Sequence, residues 1–92
     1  MKALFALIPC ALFASVAVAS PDCPKYPQEE WMNVLDLQKK IVNEYGFIIK
    51  QFKIDDECYE IYGWERGGDG KLRKIEVYFD AKTGAIVEKE LD

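Results

Sequence analysis

Residues Cys58 to Gly84 read CYEIYGWERGGDGKLRKIEVYFDAKTG, two runs of alternating apolar and polar residues around a glycine-rich connection. In the first run Tyr59 and Ile61 share a face with Gly63, against Cys58, Glu60, Tyr62 and Trp64. In the second, Ile75, Val77 and Phe79 oppose Lys74, Glu76 and Tyr78. Such period-two alternation marks antiparallel strands with one buried face, and the aliphatic sets put the odd-numbered residues on the core side. A two-residue turn at Asp69-Gly70 would bring Ile61 onto the same face as Tyr78, so it conflicts with the pattern. A longer loop over Arg66 to Gly70, or a bulge, keeps the faces consistent, and its glycines supply the positive φ it needs.

Toward the C-terminus, Asp80-Ala81-Lys82-Thr83-Gly84 reads as a turn into a last strand, Ala85 to Leu91. Asp80 accepts backbone N–H bonds across it and Gly84 closes it. Setting Asp80 opposite Gly84 places Val87 beside Val77 on the core face. Upstream, Phe47 to Ile54 is β-rich with broken alternation: Phe47 and Ile49 are out of phase with Phe52 and Ile54. One extra residue near Lys50-Gln51 realigns them, which predicts a bulge. Asp55-Asp56-Glu57 is a polar turn.

Before that strand, Asn33 is an N-cap, and Val34, Leu37, Ile41 and Tyr45 fall at helical spacing, with Leu35 and Val42 expected to widen the stripe. Gly46 takes the left-handed conformation that ends the helix. Trp31 reads as an anchor for the end of the core. The expected fold is α+β, one helix packed on a four-stranded antiparallel β-meander.

The N-terminus reads as an export signal: Lys2, an apolar run from Ala3 to Val16, and a small-x-small site at Ala17-Val18-Ala19 before Ser20. Residues 1–19 are thus expected to be removed, leaving a single domain over 20–92, no stable membrane insertion, and a periplasmic or extracellular location. Cys10 leaves with the signal, and the remaining pair, Cys23 and Cys58, is most simply a disulfide in an oxidising compartment. Pro21, Pro24 and Pro27 make the segment around Cys23 an extended arm. The whole chain carries a net charge of −4. Its acidity excludes nucleic acid as a natural partner, since phosphates would be repelled.

Little chemistry is on offer. The chain has no histidine, so Ser/His and Cys/His pairs are excluded, and two thiols alone make a poor metal site. Glu60 and Glu76 would face each other if residues 61 and 75 paired, but like charges opposite are unfavourable, and a register pairing Glu60 with Lys74 is expected instead. A flat sheet face is not expected to bury and tune such carboxyls. Neither acidic turn has the alternating acids of a calcium loop. No catalytic, cofactor or metal residue is assigned, and no cofactor is expected. What remains is aromatic: Tyr62, Trp64 and Tyr78 lie on the face away from the helix. They form either a partner surface or the bed on which the arm lies.

Trp31-Met32-Asn33, Tyr45-Gly46-Phe47, Cys58-Tyr59-Glu60-Ile61-Tyr62 and Val77-Tyr78-Phe79-Asp80-Ala81-Lys82-Thr83-Gly84-Ala85-Ile86-Val87 together resemble the PepSY domain family, with Ala81 where relatives usually carry proline. The resemblance spans nearly all of residues 20–92. It implies a non-catalytic module with a cystatin-like helix-over-sheet shape and a protein partner, an exported peptidase being the expected one. A sensor or small-ligand domain using the space between helix and sheet is the alternative.

Overall fold

The computed structural model describes residues 21–92. The expected export signal and Cys10 lie outside the described residues. A 3₁₀ turn, Gln28–Glu30, leads into helix α1, Val34–Lys40, which runs on as a π turn, Ile41–Tyr45. Four strands follow: β1 Ile48–Asp55, β2 Cys58–Arg66, β3 Leu72–Asp80 and β4 Ile86–Leu91. They form one antiparallel sheet in the order β1-β2-β3-β4, the meander expected from the alternation.

The helix starts where its cap lies. Asn33 Oδ1 accepts from the Leu35 N–H at 2.9 Å and the Asp36 N–H at 3.2 Å, satisfying two donors that the first turn leaves unpaired. It ends at Gly46, whose φ of 74° few other residues tolerate. The Gly46 and Phe47 N–H groups both close on the Ile41 carbonyl. Leu37 and Ile41 are fully buried against Ile61, Val77 and Phe79. Among the described residues, these side chains fill the space between helix and sheet where a small-ligand reading would place its pocket.

Leu35 and Val42 do not widen this stripe; they are 57% and 51% exposed. At about 100° per residue, Leu35 lies roughly 200° from Leu37 and shares its side with Val42, so the pair faces away from the sheet.

The β1–β2 register slips between Ile49 and Gln51, leaving Lys50 as the bulged residue. Gly63 is what permits it, since a Cβ there would run into the Ile48 carbonyl. The β2–β3 pair turns through Gly67–Lys71, with Gly70 at φ 82°, and aligns Ile61 with Val77 as the face argument requires.

The last hairpin departs from expectation. Asp80 accepts the Gly84 N–H, but its own N–H donates to Ala85, so the ladder closes one residue late. A second slip between Tyr78 and Phe79 then brings Lys89, not Val87, opposite Val77. Lys89 reaches Glu65 at 2.6 Å, and Arg73 meets the same carboxylate at 2.8 Å. Lys89 and Arg73 hold Glu65 below its ordinary pKa against the pull of burial. An ion triad thus finishes the core face beyond the end of the helix.

The turn at residues 80–84 also seats the helix. Ala81 is buried and its carbonyl accepts the Met32 N–H at 2.7 Å, while Gly84 lies under Leu37 and receives the Tyr45 hydroxyl on its carbonyl at 2.9 Å. Trp31 packs edge-on against Tyr59 at 5.2 Å and anchors this end of the core.

Candidate functional site

The outer face of the sheet is ordered in rows by the strand register. Asp55, Cys58 and Asp80 form the first row; Lys53, Glu60, Tyr78 and Glu88 the second. Gln51, Tyr62, Glu76 and Glu90 make the third, and Ile48, Trp64 and Lys74 the fourth.

The arm lies at the first two rows. Cys23 is bonded to Cys58, with their Cα atoms 5.8 Å apart, and these two cysteines pack with Tyr78 in a buried cluster of their own. The Tyr26 hydroxyl donates to Asp80 Oδ2 at 3.0 Å, and the Trp31 indole N–H donates to the Tyr26 carbonyl. Asp80 Oδ1 accepts the Lys82 and Thr83 N–H groups, both at 2.9 Å. Burial pushes the Asp80 carboxyl up, but these N–H groups and the Tyr26 hydroxyl outweigh it and leave it below its ordinary value. Both oxygens of Asp80 are engaged by protein donors, so the residue is a turn and arm fastener.

Glu60 is the surprise of the second row, at 1% exposed. The Glu60–Lys74 pairing does not form, because Lys74 stands opposite Trp64 and Glu60 opposite Tyr78. Its cation is Lys53 of β1, at 3.7 Å, and its Oε2 has no hydrogen-bond partner. Nor is its carboxyl left unburied, as a flat face would imply. Burial first, and the neighbouring Glu76 second, push Glu60 up to about 7. Glu76 accepts the Tyr78 hydroxyl at 2.8 Å and is held low by Glu60 and that phenol. The Glu60 charge pushes the Tyr62 phenol up to about 12. A general acid must touch its substrate; buried this deeply, Glu60 reaches none in this conformation.

The three aromatic residues of the candidate surface therefore have different surroundings. Tyr78 is 7% exposed, packed with the disulfide. Tyr62 and Trp64 are half-buried beyond the arm. There a shallow groove of about 390 Å³ opens, with Tyr62 and Trp64 among its walls and Lys50, Lys53, Lys74 and Asp92 around it. Sequence reasoning missed the lysines; the bulge that it did predict was the signal that Lys50 would leave the regular alternation.

A family model described as peptidase propeptide and YPEB domain matches residues 3–90. The chain belongs to this PepSY family. No curated protein and no solved structure matches it. The family's description ties it to peptidase propeptides, and in this chain the end of the outer face bearing Tyr62 and Trp64 is less buried than the end where the disulfide holds the arm. Among the described residues, no helix is long and apolar enough to cross a membrane.

Proposed function

We propose that this PepSY domain is an exported, non-catalytic binding module that restrains or regulates a peptidase, contacting its partner through Tyr62 and Trp64. The observation that carries this reading is a pair of large aromatic side chains left half-buried at the one end of the outer face that the arm does not reach. Tyrosine and tryptophan in partly desolvated positions dominate protein interfaces. The family's association with peptidase propeptides supplies the partner class. Tyr78, one row along the same face, packs with the disulfide and lies outside the contact. Removal of residues 1–19 leaves a single domain, and the disulfide suits the oxidising compartment that export would reach.

Capture from a periplasmic extract by the oxidised domain tests this. A peptidase should be retained and slowed, and Trp64→Ala should release it with little change in melting. Failure to retain or slow any peptidase, or retention undiminished by Trp64→Ala, would sink the reading. Mass spectrometry of the secreted chain should give Ser20 as its first residue.

A further inference from the structure

We propose that the groove at the open end of the sheet docks a short, acidic, extended segment of the protein partner; this rests on the reading of that face as the partner surface. Charge complementarity carries it. The chain has 16 acidic residues against 12 basic ones, yet Lys50, Lys53 and Lys74 gather around this one groove. Lys53 is already held between the Glu60 carboxylate, at 3.7 Å, and the Tyr62 ring, at 5.2 Å. Lys50 and Lys74 are exposed and, among the described residues, neither has a carboxylate within ion-pairing distance.

The bulge puts Lys50 on the rim, and the register puts Lys74 directly opposite Trp64. Two unpaired ammonium groups thus flank an aromatic floor that excludes water on one side, where attraction to a carboxylate is less screened than in open solvent. Glu88 and Glu90, on β4 at the other edge of the same face, would repel an acidic segment and confine it to the lysine end. Asp92 also lines the groove and competes with the incoming carboxylates. The groove crosses the ends of β1, β2 and β3, so its occupant lies across the strands in extended form.

The test uses the oxidised domain and a fluorescein-labelled eight-residue peptide of alternating glutamate and alanine, with glutamine and lysine versions as comparisons, read by anisotropy. The glutamate peptide should bind about tenfold more tightly than either comparison, and lose that margin as salt rises. Lys50→Gln with Lys74→Gln should remove the preference, and Asp92→Asn should strengthen binding. Equal affinity for the glutamine peptide, no binding of the glutamate peptide, or a preference that survives the double lysine variant overturns the inference. Partner capture separates this outcome from failure of the underlying reading. If Trp64→Ala abolishes capture and the lysine variant captures normally, the surface stands and the acidic segment falls; if neither variant alters capture, both fall.

Discussion

The two ends of the outer sheet face are built from the same alternation of side chains and have opposite fates. At one end Cys58, Glu60 and Tyr78 are buried; at the other Tyr62 and Trp64 stay half-open and Lys74 is exposed. Residues 21–27 mark the covered end, where the disulfide and Asp80 fasten them and Cys23 packs with Cys58 and Tyr78. The same strand surface is thus buried at one end, where a distant segment is fastened, and half-open at the other.

Untying the arm should have the largest effect. The bond closes a loop of 35 residues, worth about 4 kcal/mol in the chain-entropy model. Cys23→Ser with Cys58→Ser should therefore lower melting by roughly 15 °C or more and make Tyr78 accessible to solvent quenchers. Unchanged melting would mean that the covered end needs no cover.

Truncating one aromatic residue at each end compares them directly. Tyr78→Ala removes a buried ring and the hydroxyl that serves Glu76, and should cost about 3 kcal/mol in denaturant unfolding. Trp64→Ala at the open end should cost about 1 kcal/mol or less. Equal costs would erase the distinction between the ends.

Glu60 should make the covered end sensitive to pH. Its folded pKa of about 7 lies above the ordinary 4.5, so the folded protein retains a proton that the unfolded chain gives up. Stability should fall as pH rises from about 4.5 to about 7, and the penalty persists above that. The groups facing it are Lys53 and Asp55 on β1, Tyr62 on β2, and Glu76 and Tyr78 on β3. Glu76 moves the other way and offsets part of the effect. Glu60→Gln should then stabilise the domain by about 2 kcal/mol at pH 8 and by little at pH 5. A variant that melts with the same pH profile as the native chain would show that Glu60 does not carry this proton.

The smallest effect expected is at the helix, remote from both ends. Asn33→Ala should cost about 1 kcal/mol by leaving the Leu35 and Asp36 N–H groups without their side-chain acceptor, a loss readable in chemical denaturation.

What was legible in the sequence follows from local rules. Alternation located the strands, broken alternation located the bulge at Lys50, and face consistency ruled out the tight turn before Leu72. Asn33 and Gly46 marked the helix ends. The illegible parts depend on segments that meet only in space. Glu60 reads as an ordinary surface acid because its burial depends on Lys53, Tyr62, Glu76 and Tyr78, side chains of three strands that crowd it only in space. The residue of β4 that stands opposite Val77 is Lys89 and not Val87 because the ladder's closure at Ala85 and the slip after it leave no pattern in composition. Leu35 and Val42 read as core because apolar character alone does not say which side of a single-layer helix meets the sheet. The aromatic set was found as a group, yet which of its members stays open was decided by how far the arm reaches.

The seat of the helix also has a consequence in time. The Met32 N–H just ahead of the helix and the Tyr45 hydroxyl at its end bond the Ala81 and Gly84 carbonyls, in the turn between the third and fourth strands. A helix specified early in the chain therefore completes its docking only once β3 and its turn have emerged, and such non-local closure slows folding. A nascent chain that ends before Val77 and Phe79 leaves Leu37 and Ile41 without part of the sheet they are buried against. The turn at residues 80–84 thus acts as a clasp, joining the start of the chain to its last hairpin.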